Sequence, residues 1–204
     1  MSRVVKTLGA VALGLMFATP VVAQESAVTP KEHAVTISAW GGGLSALNNL
    51  DDAGTSDFKT GFNVGGGVAV QLQRYISLRG DFNYGRDQLR LDDFNTGVHY
   101  NKFFYGGAVQ VQYPTAGGVM PYAFAGGGGI TIDPEGDNGS SKTKGAGLFG
   151  LGLEYQIPRT NWGVFAQSTG WLYKLDGLDG PLTGVNKTQF DVTYSGGISY
   201  RIPF

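Results

Sequence analysis

The stretch VTYSGGISYRIPF, Val192–Phe204, alternates to its last residue. Tyr194, Ile198, Tyr200, Ile202 and Phe204 share one parity, with Gly196 between them, while Thr193, Ser195, Ser199 and Arg201 take the other. Successive side chains of an extended chain point to opposite faces, so the segment reads as a β-strand with one apolar and one polar side. An apolar parity that runs to a terminal aromatic, with no polar tail, calls for hydrocarbon beside it. In hydrocarbon no backbone group can stay unpaired, so such a strand must close against another strand.

The same pattern recurs upstream. Phe62, Val64, Val68, Val70 and Leu72 alternate with Gly61, Asn63, Gly65, Ala69, Gln71 and Gln73. Ile76, Leu78, Phe82 and Tyr84 oppose Ser77, Arg79, Asp81 and Asn83, and Phe103, Tyr105, Val109 and Val111 oppose Lys102, Ala108, Gln110 and Gln112. Further strands are expected at Val35 to Leu47, Val119 to Asp133, Lys144 to Ile157, Trp162 to Lys174 and Lys187 to Phe204. The first and seventh are poorly phased, because Trp40 and Trp171 fall on their polar parity.

The connections alternate in length. Gln73 to Tyr75, Pro114 to Gly118 and Pro158 to Asn161 are short, whereas Asn48 to Asp57, Asp87 to His99, Pro134 to Thr143 and Leu175 to Asn186 are longer and polar. Tight turns at one end and long loops at the other, on an even number of antiparallel strands, predict an all-β fold: an eight-stranded antiparallel up-and-down transmembrane β-barrel over residues 34–204. A soluble sandwich or lipocalin-like barrel would also alternate, but with no systematic turn length and with its apolar side inward. Tyr75, Tyr113, Tyr122, Tyr155 and Trp162 flank the short turns, and Phe58, Phe62, Tyr84, Phe103 and Phe190 lie near the loops, as two interfacial girdles would.

Composition bounds the rest. The 204 residues suit one domain, and 42% hydrophobic with 15% charged residues is too apolar for disorder. A mean hydropathy of −0.07 is too low for a helical membrane bundle. The 34 glycines fall inside strand-like runs, where they permit coiling and make room for large neighbours. Arg3 and Lys6, the apolar run Leu8 to Val22 and the small residues up to Ala23 read as a secretory signal, residues 1–23, followed by a short periplasmic segment, 24–33. Without Arg3 and Lys6 there remain 13 basic and 16 acidic residues, a net charge of −3, which argues against nucleic acid as a partner. With no cysteine, neither disulfides nor an N-terminal lipid anchor are available.

On these residues the sequence resembles a known family. Ile198, Tyr200, Ile202 and Phe204 look like the C-terminal signal of bacterial outer-membrane proteins read by the barrel-assembly machinery. The mature chain, with FNVGGGVAVQL, YAFAGGGG and FGLGLEYQI, is similar to the small OmpA/OmpX-like and opacity-type surface barrels. The resemblance implies a Gram-negative outer-membrane location among lipids and lipopolysaccharide, assembly through that machinery, and a host or surface ligand met by four extracellular loops. No peptidoglycan-binding domain follows the barrel, so a cell-wall tether is not implied.

An eight-stranded barrel is just wide enough for side chains, so its inside is expected to be filled. The inward parity carries Arg79, Asp81, Lys102, Glu154, Asp191 and Arg201, with Asn63, Gln71, Gln110 and Gln112. Charges so confined must pair or be hydrated, which predicts a mutually satisfied polar lumen network. The alternative is a gated polar pathway, making the protein a small porin-like channel.

Signals for other chemistry are thin. Gly145 to Gly150 matches G-x-G-x-x-G but enters a strand, with no helix to receive a pyrophosphate. The sequons at Asn138 and Asn186 say no more than loop location. His33 and His99 are the only histidines, and no His-x-Ser pair like that of the lipid A deacylases stands on a strand. His99 beside Asp92 and Asp93 offers at most a loop-borne general base for a lipid-modifying enzyme. The acidic loop residues Asp51, Asp52, Asp92, Asp93, Asp133, Glu135, Asp137, Asp176 and Asp179 could bridge Ca²⁺ or Mg²⁺, but they lack EF-hand spacing and read as solvated. No catalytic residue, cofactor or metal site is assigned, and the expected role is structural or surface-interacting: adhesion or envelope integrity through the loops.

Overall fold

A computed structural model describes residues 33–47, 56–91, 94–134, 140–176 and 187–204. The expected signal, 1–23, and most of the segment after it lie outside the described residues. Eight strands follow one another: β1 Ala34–Ala46, β2 Ser56–Gln73, β3 Ile76–Leu91, β4 Phe94–Gln112, β5 Val119–Pro134, β6 Lys142–Gln156, β7 Trp162–Leu175 and β8 Lys187–Pro203. Each pairs antiparallel with the next, and β8 pairs with β1 from Ala46↔Asp191 to Ala34↔Pro203, closing the barrel. A path across the strands from Ala46 runs through Asp191, Trp171, Leu148, Gly126, Ala108, Arg79 and Ala69 and returns to β1 at Thr36, ten residues away. That stagger is the tilt that closure requires.

The expected strands are present, with one correction. The connection expected at Asp87 to His99 is mostly strand: β3 and β4 stay paired past Asp87↔Tyr100 and Gln88↔His99 to Leu91↔Phe94, with a register shift between Gln88 and Arg90. His99 is therefore a strand residue. The run DQLRLDDFN hid this, because Asp, Gln and Asn in succession carry turn chemistry and no apolar alternation. The other three expected loops fall largely outside the described residues.

Short turns join β2 to β3, β4 to β5 and β6 to β7 at the end where β1 starts and β8 finishes. In the second, Gly118 takes φ 77°, its N–H donates to Thr115 O at 3.2 Å, and the Thr115 hydroxyl donates to Val119 O at 2.6 Å. A side chain there would be strained, which is why glycine stands at that position. The segment matching G-x-G-x-x-G lies within β6.

The outward parity carries the apolar belt. Val64, Val68, Leu78, Phe82, Val109, Leu151 and Ile198 are each about half exposed. Tyr75 stacks with Tyr113 at the short-turn end, 6.1 Å between centroids, and Trp162 meets Tyr200 edge-on at 4.8 Å. Phe62, Tyr84 and Phe103 form a second aromatic group nearer the loops. One girdle assignment is corrected: Tyr122 points inward and is buried. It shares its parity with Phe124, and both lie over glycines, since a Cβ at Gly152 would come 2.5 Å from the Tyr122 ring.

The phase of strands one and seven is now fixed. Trp40 and Trp171 both point inward and are buried. Trp40 fits because its neighbours across the wall have no side chains: a Cβ at Gly65 would lie 2.6 Å from its Nε1, and one at Gly67 3.2 Å from its ring.

Candidate functional site in the barrel lumen

The lumen is built in three layers. At the short-turn end, Arg79 on β3 chelates Asp81 two residues along, with Nε 2.9 Å from Asp81 Oδ2 and Nη2 3.0 Å from Oδ1. Its Nη1 donates to Gln110 Oε1 at 3.0 Å, its Nη2 to Gln167 Oε1 at 3.2 Å, and the guanidinium lies 4.0 Å above the Phe124 ring. Period two puts Arg79 and Asp81 on one face, and the barrel curvature brings β4, β5 and β7 within their reach. Gln110 passes the chain on, its Nε2 donating to Gln112 Oε1 at 3.0 Å. Tyr122 donates to Gln167 Oε1 at 3.1 Å, and Ser199 donates to Glu154 Oε1 at 2.7 Å. These groups surround a cavity of about 40 Å³ that Gln71 and Arg201 also line. By volume it has room for roughly two or three waters.

Above it lies an apolar layer. Leu44, Phe104, Ile130, Leu148 and Trp171, from five strands, are all 2% exposed or less, and Phe104 packs on Trp171 with centroids 5.0 Å apart. Trp171 Nε1 finds no acceptor there. Trp40, whose Nε1 donates to Asn83 Oδ1 at 3.2 Å, is buried on the same inner wall.

Toward the loops the lumen becomes charged again. Lys102 is fully buried, with its Nζ 2.7 Å from Asp87 Oδ2 and 2.8 Å from Asp191 Oδ2. Tyr173 donates to Asp191 Oδ2 at 2.8 Å and Gln189 Nε2 to Oδ1 at 3.2 Å. Among the described residues, two carboxylates thus share one buried ammonium. At the rim, Lys144 binds Asp176, whose carboxyl that hydrogen bond holds below the usual carboxylate range.

All six lumen residues named from sequence lie on the inner wall, but not in one network. Arg79 and Asp81 form a pair, Lys102 and Asp191 form another well above them, and Glu154 and Arg201 line the lower cavity without pairing to each other. Asp87, a full member of the upper cluster, was missed because it was assigned to a loop. The apolar layer was missed as well. Its signal was available in Phe104, Leu148 and Trp171, each on inward parity. Of the terminal stripe, Ile198, Ile202 and Phe204 are exposed and Tyr200 is half-buried against Trp162. The Phe204 N–H donates to His33 O at 3.2 Å, and its ring stacks on His33 across the β1–β8 seam. Among the described residues no three histidine or carboxylate groups gather as metal ligands. Asp51, Asp52, Asp92, Asp93, Glu135, Asp137 and Asp179 lie outside the residues described.

The family model for the outer membrane protein β-barrel domain matches residues 9–195. Among solved structures, OprG of Pseudomonas aeruginosa superposes with a TM-score of 0.60 at 15% identity, covering 85% of this chain and 98% of that one. Neisserial surface protein A gives 0.53 at 16%, covering 85% and 97%. Ail, the attachment invasion locus protein of Yersinia pestis, solved with the heparin analogue sucrose octasulfate, gives 0.52 at 15%, covering 84% and 99%. Comparison with the curated proteins gives no match.

Proposed function

The chain belongs to the outer membrane β-barrel family, and from that premise we propose that it is a surface-interaction protein: a plugged barrel whose work is done by its extracellular end. Its place is the outer membrane of a Gram-negative cell, with the short turns in the periplasm. Residues 1–23 serve as the export signal in this reading.

The observation that carries the proposal is strand length. Roughly 9–11 residues of tilted strand cross a bilayer. Strands β2, β3 and β4 have 18, 16 and 19. Since their lower ends sit at the short turns, several residues of each rise beyond the apolar belt, and the β3–β4 hairpin stands in water as a paired ribbon. A ribbon is a better platform than a loop, because its register fixes which side chains face a partner. Ail, an attachment protein of the same fold solved with a polyanionic saccharide, makes such a role reasonable here. The apolar layer supports the plug, since a dry constriction lined by Phe and Trp opposes the passage of hydrated ions.

The test pairs two measurements. Purified protein in planar bilayers is expected to show no current steps. Cells expressing a variant with Gln88 joined to His99 by a tight turn are expected to keep the barrel but lose attachment to surfaces coated with sulfated saccharide or host cells. Stepwise conductance by the wild type would establish the channel reading instead, and unchanged attachment would remove the hairpin from the function.

A further inference from the structure

The short turns carry two arginines, Arg74 between β2 and β3 and Arg159 between β6 and β7, and no Asp or Glu stands in residues 73–75, 114–118 or 158–161. Both side chains are exposed, and neither makes a hydrogen bond or ion pair with a described residue. Arg159 is unusual in its backbone too. Its φ of 63° is the one positive value at a non-glycine residue among those described, whereas the β4–β5 turn meets the same demand with Gly118. That conformation is unfavourable for any residue with a Cβ, and arginine lacks the short polar side chain by which Asn or Asp offsets it. The turn enforces it: Ile157 N–H donates to Trp162 O at 2.9 Å, Trp162 N–H to Thr160 Oγ1 at 3.2 Å, and Gln156 Nε2 to Trp162 O at 2.9 Å. Glycine would close this turn without strain, so an arginine held there points to a use for its side chain outside the turn.

We propose that Arg159 and Arg74 each bind the phosphate of an anionic glycerophospholipid, of phosphatidylglycerol type, in the periplasmic leaflet. Both stand beside interfacial rings, which set the depth of a headgroup. Arg74 lies over Tyr75, 5.4 Å from the ring centre, next to the Tyr75–Tyr113 stack, and Arg159 is three residues from Trp162, which meets Tyr200. A guanidinium presents paired N–H donors that match two phosphate oxygens. Charge selects the lipid class. With no carboxylate in the turns to pair, each arginine favours a headgroup whose negative charge is uncompensated over a zwitterionic one, whose own ammonium offsets its phosphate. The proposal rests on the short turns facing the periplasm and not on what the extracellular end binds, so either reading can fail alone.

Trp162 is a built-in reporter, because it is exposed while the other two tryptophans, Trp40 and Trp171, are buried inside the barrel. The refolded barrel is placed in phosphatidylcholine vesicles at low ionic strength, with a fixed fraction of either brominated phosphatidylglycerol or brominated phosphatidylcholine, and tryptophan quenching is read. Stronger quenching by the brominated phosphatidylglycerol is expected. Arg159→Gln should lower the relative association of that lipid about fivefold, the worth of one cation at an anionic headgroup. Arg74→Gln should leave Trp162 unchanged, since its turn lies four strands away, and should act instead on a tryptophan placed by Tyr113→Trp in a Trp162→Phe chain. Arg159→Gly should lose the preference yet unfold in no less urea than the wild type, because it relaxes the backbone. Equal quenching of the wild type by the two lipids, or a preference that survives either Gln substitution at its own reporter in heat-modifiable protein, overturns the proposal. Easier unfolding of Arg159→Gly overturns it as well, by making the arginine a part of the turn itself.

Discussion

Lys102 has no exposed atom, and its ammonium is shared by Asp87 and Asp191. Removing one partner of a buried ion cluster costs more than the cluster contributes, because the charges left behind have no water. Lys102→Met should therefore destabilise the barrel by about 3–5 kcal/mol in urea unfolding from lipid vesicles. Adding Asp87→Asn and Asp191→Asn should recover most of that loss, and a triple variant no better than the single would show that the cluster is held by geometry and not by charge. The exposed pair at the rim behaves differently. The hydrogen bond from Lys144 lowers the pKa of Asp176, so its contribution is present above the ordinary carboxylate value of about 3.9 and is lost as pH falls through the folded value. Carbon-13 titration of Asp176 should show that depressed midpoint, and Lys144→Met should return it to normal. Lys102 and Asp191 were legible from parity alone. Asp87 was not, because Asp, Gln and Asn in succession are turn chemistry unless a partner strand is known.

At the scale of the strand, inside and outside were legible wherever one parity met lipid, and illegible where both faces were polar or where a tryptophan went inward. Glycine explains the second failure: it reveals that space exists, but not which side chain from a distant strand fills it. Gly65 is such a place, since a Cβ there would meet Trp40 Nε1, Asn83 Oδ1 and Phe82 O all at 2.6 Å. Gly107 is its control, with its nearest neighbour at 3.7 Å. Gly65→Ala should cost about 1–3 kcal/mol by overpacking. Gly107→Ala should be near neutral, and equal effects would mean that Trp40 is not seated as described. The two faces of β3 give a parallel contrast. Phe82 is 52% exposed on the lipid side, so Phe82→Arg should destabilise by roughly 2–4 kcal/mol if it lies near the midplane. Asn83, buried beneath Trp40, is the acceptor for its Nε1, so Asn83→Leu should cost about 1–3 kcal/mol by leaving that donor unpaired. A harmless Phe82→Arg would exchange inside for outside.

For the barrel as a whole, closure and filling make separate demands. Because β1 pairs with β8 along its length, the sheet has no free edge from which to unravel. Unboiled protein should therefore migrate differently from boiled protein on detergent gels, and identical mobility would contradict a closed barrel. Filling is the finer property. Between the two polar clusters lie Leu44, Phe104, Ile130, Leu148 and Trp171, all buried. Closure does not depend on those five side chains, since the backbone ladder holds the wall without them, but continuity of water along the axis does. Trp171→Ala with Phe104→Ala removes the two rings that meet at 5.0 Å. Each truncation of a buried aromatic should cost about 3–5 kcal/mol, so the double variant should unfold at lower urea yet still shift on gels where it folds. The opened layer would join the lower cavity to the Lys102 cluster, where the carboxylates of Asp87 and Asp191 would favour cations. Bilayer recordings should then show cation-selective steps in the double variant and none in the wild type. A silent double variant would place the barrier elsewhere in the lumen, and anion-selective steps would mean that the upper carboxylates do not face the path.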